Sequence, residues 1–446
     1  PAAATGTSQP AAATGTSQPA AATGTSQPAA ATGTSQPGRW LRAAFALTVI
    51  GWGANQFTPL LLMYRSELNL SAAEVEAMFG LYAVGLIPGL LVAGRVSDRI
   101  GRRPVVATAV ALSMAAAAVL MLGTHGSAWL FAGRLIMGVA SGCGFSAGSA
   151  WIKELSAPPY AQASPGAGAR RAGVAMTLGF GLGPLVAGAA AQWGPMPTVL
   201  PYLPQLVLAV GAALLLPHIP ETHPRGQAGH DGALLRMPRL SHARFLRVVL
   251  PLAPWVFGSA AIAMVYVPGL VLSQLPGEAV LFAAVDALIT ALAGVLIQPL
   301  ARRLGRRPGS PAVLITGMSL VTAGLLVEAW VARLGQPGLV LLGAAVLGCG
   351  YGCCLVYGLS EVQRMAPPGE LAELTAVFQA ATYVGFGLPY LLSLLRPYAS
   401  PPALLLAVAG LAALTLAVTA WQARRTATKP GTATKPGTAT KPGITT

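Results

Sequence analysis

Charge is scarce in this chain: only 9% of its 446 residues are Asp, Glu, Lys or Arg, against about a quarter in an ordinary soluble domain. So few charges cannot cover a water-facing surface, which excludes a soluble globular protein of this length. There are five histidines, and none lies in an apolar stretch. Without a nucleophile–base pair or metal ligands at matched depth, the chain is not read as an enzyme, and neither a cofactor nor a metal is expected. The four cysteines, Cys143, Cys349, Cys353 and Cys354, all lie in apolar stretches. A disulfide network would strain the adjacent Cys353 and Cys354, so they are read as free, small packing residues. No Gly-rich loop ending in Lys-Ser or Lys-Thr is found, which argues against ATP-driven transport. No secretory signal with a cleavage site is read ahead of the first apolar stretch, which is expected to act as its own insertion signal.

Apolar residues are what the chain has instead, at 54%. A membrane-crossing helix takes about 20 mainly apolar residues, and twelve such stretches are predicted, near 40–64, 75–94, 105–123, 128–152, 171–193, 200–217, 246–272, 278–300, 311–332, 337–360, 372–395 and 401–421. The net charge of +15 is distributed along this ladder. Of the 28 Lys and Arg, all but Arg65, Arg333, Arg396 and the helix-embedded Arg134 fall in the two tails and the even-numbered connections. That asymmetry puts both termini in the cytoplasm. Basic charge then encodes orientation, and no nucleic-acid partner is expected.

The ends are low in complexity. Pro-Ala-Ala-Ala-Thr-Gly-Thr-Ser-Gln repeats four times through residue 36, and Thr-Ala-Thr-Lys-Pro-Gly repeats three times from Thr426. Tails 1–38 and 423–446 are predicted to be disordered. A Pro-, Gly-, Arg- and His-rich linker, 218–245, separates a first half, 39–217, from a second, 246–422. It carries His218, His223, His230 and His242, read as a solvated polar segment rather than a metal site.

The halves echo each other. Gly94-Arg95-Val96-Ser97-Asp98-Arg99-Ile100-Gly101-Arg102-Arg103-Pro104 returns as Gln298-Pro299-Leu300-Ala301-Arg302-Arg303-Leu304-Gly305-Arg306-Arg307-Pro308. Gly142-Cys143-Gly144-Phe145 matches Gly348-Cys349-Gly350-Tyr351, and Gly179-Phe180-Gly181-Leu182-Gly183-Pro184 matches Gly385-Phe386-Gly387-Leu388-Pro389. Two six-helix bundles related by a pseudo-two-fold axis would place a substrate site near midplane, at their interface. The first loop resembles that between the second and third helices of major facilitator superfamily transporters, and Pro220-Glu221-Thr222 resembles the end of their sixth helix. The resemblance implies an all-α membrane protein of twelve transmembrane helices in two pseudo-symmetric bundles. It also implies that Gly94, Asp98, Arg99, Gly101, Arg102 and Arg103 gate the cytoplasmic side, with Asp98 latching onto the start of helix 11 near Pro367-Pro368-Gly369-Glu370.

In helix 5, Gly179, Gly183, Pro184 and Gly188 resemble the Gly-Pro signature of drug:proton antiporters, although Arg170 and Ala187 stand where that signature has glycine. Such glycines allow close helix approach and the proline bends the helix, which would tighten the seam between bundles. Ionisable groups within hydrocarbon are functional candidates by default. Arg134 resembles the helix 4 arginine of antiporter proton coupling, and Asp286, midway along helix 8, is read as the proton or cationic-substrate site. Glu328 is placed at the water boundary. Asn55, Gln56, Tyr82, Gln298, Tyr351, Tyr357, Gln379 and Tyr383 are expected to line a cavity for an amphipathic organic solute. Antiporters of this kind often carry an acidic residue in helix 1, and here the segment reads Trp52-Gly53-Ala54-Asn55-Gln56. The expected protein is a monomeric, proton-coupled exporter in the inner or plasma membrane, whose partners are a small-molecule substrate, protons and the lipid bilayer. The alternatives are a proton symporter importing a sugar, carboxylate or amino acid, and a transport-inactive receptor.

Overall fold

Proline and glycine set where the helices bend and how closely they pack. The computed structural model describes residues 38–164, 166–223, 243–306, 310–366 and 371–427, all of them helix or short connection. Both repeat tails apart from their innermost residues, most of the 218–245 linker with His230 and His242, and the expected latch partner at 367–370 lie outside the described residues.

The first apolar stretch forms two helices, α1a (Gly38–Asn55) and α1b (Phe57–Glu67), broken at Gln56. Pro59 has no N–H to offer the Asn55 carbonyl four residues back, so the helical ladder fails there. The remaining segments are α2 (Ala72–Ile100), α3 (Arg102–His125), α4 (Ser127–Leu155), α5 (Ala167–Trp193), α6 (Leu200–His218), α7 (Phe245–Leu270), α8 (Ala279–Leu304), α9 (Ala312–Leu334), α10 (Pro337–Met365), α11 (Glu373–Leu395) and α12 (Pro401–Arg425). These eleven are long and apolar enough to cross a membrane. Start signals are local. Ser71 accepts from the Glu74 amide while the Glu74 carboxylate accepts from the Ser71 amide, a capping box that starts α2.

One apolar cluster is drawn wholly from residues 245–423, and two others come almost entirely from the first half. The sequence echoes are also contact echoes. Gly142 lets α4 pack on the α2 backbone at Leu86 and Leu90, and Gly348 lets α10 pack on the α8 backbone at Thr290. Gly179 packs on α1a at Thr48 and Trp52, and Gly385 packs on α7 at Pro254 and Gly258. A Cβ at any of these positions would overlap backbone, so small residues at crossings are a steric requirement of the packing.

The halves meet along α5 against α8 and α2 against α11. Gly188 stands where a Cβ would lie 2.6 Å from that of Ala284, and at Gly181 it would lie 3.0 Å from Leu288. Gln192 ties α5 to the second half by donating to the Gly277 carbonyl and accepting from the Leu281 amide.

Candidate functional site

Aromatic residues three apart fall on one helix face, and at the meeting of the halves they converge. Phe79 and Tyr82 on α2 face Phe386 on α11, with ring centroids 4.7 and 6.1 Å apart. Phe257 on α7 joins Tyr383 at 4.6 Å, Phe386 at 5.7 Å and Tyr351 at 6.2 Å. The Tyr351 hydroxyl donates to the Ala291 carbonyl of α8, which fixes its ring beside that helix. Tyr82, Tyr351 and Tyr383 are thus brought together, and Gln379 lies one turn before Tyr383 on α11. Phe79, Phe257 and Phe386 were not among the sequence candidates. The signal for Phe79 and Phe386 was the i, i+3 pairing of Phe79 with Tyr82 and of Tyr383 with Phe386, and Phe257 carried none.

The other cavity candidates lie elsewhere. Gln56 is buried inside the first half and donates to Gln205 of α6, which donates in turn to the Ser113 carbonyl of α3. Asn55 donates to the Phe180 carbonyl at 2.9 Å, an acceptor left free because Pro184, four residues on, has no N–H. Its side-chain oxygen accepts from Thr58. Asn55 therefore satisfies the carbonyl freed at the bend of α5, whereas Gln56 is tied to α6. Tyr357 sits beside Arg244 and Glu361 at the loop end of the second half, and Gln298 lies two turns beyond Ala291.

Arg134 is fully buried. Its guanidinium donates to the Met78 and Ala54 carbonyls and lies 4.5 Å from the Tyr82 ring centroid and 4.6 Å from that of Phe57. It holds the break in α1 against α2, within the first half. Asp286 sits in the other half, and the two do not form a pair. Of the glycines in the helix 5 signature, Gly179 and Gly183 close onto α1a, and Gly188 meets α8 across the seam between halves. The expected sealing role of Gly179 and Gly183 at that seam is corrected accordingly.

The Gly-Arg-Arg-Pro loop is built around two glutamates. Gly101 has φ of +103° and stands where a Cβ would meet the Glu221 carboxylate. Glu221 accepts from the amides of Arg102 at 2.8 Å and Arg103 at 2.9 Å, capping α3 at its positive end. Arg102 pairs with Asp98 at 2.6 Å and Glu154 at 2.8 Å. Asp98 is thus engaged within its own half, and among the described residues an ion pair crosses between halves at this end from Arg95 to Glu373 at 2.8 Å.

Asp286 is 0% exposed, and neither carboxylate oxygen has a hydrogen-bond partner among the described residues. Glu328 is also 0% exposed and equally unpartnered. Its expected place at the water boundary is wrong, because α9 turns that face onto α10 at Gly343. The glycine is the sequence signal for it.

Two helical halves, each with a Gly-Arg-Arg loop, meeting along an aromatic seam define a secondary transporter fold. The sequence matches the Major Facilitator Superfamily over residues 43–390, and the chain belongs to that family. Its members are transporters of small molecules, and this is a multi-pass inner-membrane protein. The multidrug resistance protein MdtL of Citrobacter koseri is 32% identical over 106 residues, which are 24% of this chain and only 27% of the length of that relative. The nucleoside transporter NupG (D323A mutant) aligns with TM-score 0.69 at 15% identity over 85% of this chain and 98% of that one. A D-xylose-proton symporter aligns with TM-score 0.62 at 17% identity over 86% and 95%. These likenesses establish the fold.

Proposed function

We propose that this chain is a proton-coupled exporter of an amphipathic small organic molecule, working by alternating access with both termini in the cytoplasm and residues 38–67 as the first of twelve spans. The observation that carries the reading is Asp286. An ionised carboxylate there would be an uncompensated charge, so the arrangement calls for a proton or a cationic ligand when the site is closed. The aromatic seam supports the substrate class, because ring faces give area and cation–π contacts without fixed hydrogen bonding. Rocking the halves about this seam would expose it alternately to the two sides, and a proton would bias that equilibrium. Direction rests on the partial likeness to MdtL and on the Gly-Pro bend of α5. Import by symport is the second reading, favoured by the packing of Gly179 and Gly183 inside the first half and by the absence of an acidic residue from α1a and from the Gln56 break.

The test is counterflow and pH-gradient transport in proteoliposomes with lipophilic cations, neutral antibiotics and sugars, comparing the parent with Asp286→Asn. Accumulation driven by an acidic interior, reduced in the variant while counterflow persists, is expected. Substrate moving with the proton gradient would make the protein a symporter. Exchange independent of the gradient in both proteins would leave a facilitator with a structural aspartate.

A further inference from the structure

We infer that Glu328 is a second proton-binding group, paired with Asp286 through α10, so that the closed state carries one proton on each carboxyl. The inference rests on the reading of Asp286 given above and extends it to a residue on a different helix. Both side chains are fully buried, and none of their four carboxylate oxygens has a donor among the described residues. The Glu328 carboxyl lies against Gly343, where a Cβ would overlap it. The helices that carry the two carboxyls, α8 and α9, both pack on α10.

Among the described residues no ion pair or hydrogen bond supplies simpler compensation. From α10 come Cys349 and Tyr351, which are directed to the Ala293 and Ala291 carbonyls of α8. The titratable or charged side chains of α7 are Arg247 and Tyr266, and those of α1b are Tyr64, bonded to Tyr202, with Arg65 and Glu67 at the helix end. Of the other neighbouring helices, α5 has its arginines only in its first turns, at Arg170 and Arg171. α12 has its own only in its last turn, at Arg424 and Arg425. No described cation is paired with either carboxyl. A hard metal cation takes about six oxygens, and the hydroxyl of Thr290, one turn along α8, is spent on the backbone carbonyl of Asp286. The carboxyls do not bond each other, so one shared proton would not neutralise both. Each carboxylate takes up one proton to become a neutral acid, and opening the site to water releases it.

The experiment is pH-jump infrared difference spectroscopy on the purified full chain in lipid, with sodium and then with potassium as the only salt. The parent should lose two protonated-carboxyl bands on alkalinisation, one absent from Asp286→Asn and the other from Glu328→Gln. Each single substitution should also move the midpoint of the remaining band, because the two groups are coupled. Gly343→Ala, whose added Cβ meets the Glu328 carboxyl directly, should move the Glu328 band more than the Asp286 band and provides a second variant should Glu328→Gln fold poorly. Titration of Asp286 with no Glu328 band would overturn the pair and leave the reading of Asp286 standing. Absence of both bands would remove both. Bands that respond to sodium rather than to pH would make this a cation site and overturn the inference.

Discussion

Replacing Arg134 with methionine keeps the aliphatic stem and removes the guanidinium, and the structure gives the terms on both sides. Two hydrogen bonds are lost, to Met78 at 3.4 Å and Ala54 at 3.3 Å. They are long, so each is taken at the low end for a charged donor, about 1.5 kcal/mol. Loss of the two close rings, Phe57 and Tyr82, costs roughly 1–2 kcal/mol each in a desolvated site. Against this, removing a charge from mid-span relieves about 3 kcal/mol on the insertion scale. The interactions win, and Arg134→Met should be destabilised by roughly 2–4 kcal/mol. Denaturation in mixed micelles, read against the parent, measures it, and counterflow on the folded fraction supplies the second axis. The expected result is less folded protein with exchange retained by what remains. A variant as stable as the parent yet inactive in exchange would refute the argument and make Arg134 a working charge rather than the brace of the α1 break.

Glu221→Ala removes the acceptor for the Arg102 and Arg103 amides and frees the start of α3. It should cost about 1–2 kcal/mol, the scale of a lost helix cap, and unchanged stability under the same denaturation would discount the cap. Arg95→Glu should impair exchange by repelling Glu373, and adding Glu373→Arg should restore it. Because both side chains are about a quarter exposed, the pair itself is worth no more than about 1 kcal/mol, so an effect on exchange rate beyond about fivefold would mean that more than this contact is involved. Asp98→Asn should reduce transport far less than Arg95→Glu, since Asp98 is half exposed and pairs within its own half. Equal losses would return the latch to Asp98.

The sequence by itself determined the class. Scarce charge and long apolar runs leave only a membrane interior as solvent, and the paired Gly-Arg-Arg loops with two further glycine echoes give a two-fold repeat, because a backbone crossing that admits no Cβ must be written as glycine. It also located Asp286 and Arg134, since an ionisable residue amid twenty apolar ones stands out without any coordinates. Tertiary structure decided which neighbours those residues have. Gln56 and Asn55 looked like cavity groups because a polar side chain in a spanning helix needs a partner. Yet Pro59 and Pro184 bend their helices, Pro184 frees the Phe180 carbonyl that takes Asn55, and Gln56 turns to Gln205. Glu328 looked like an end-of-helix residue because distance along α9 was the only measure of depth, whereas burial depends on which face α10 covers. Phe79, Phe257 and Phe386 gained a role only when helices from opposite halves brought them within one contact distance. A chain pattern gives each helix a length and a polar face, but the rotation of that face against its neighbours is fixed by packing across hundreds of residues.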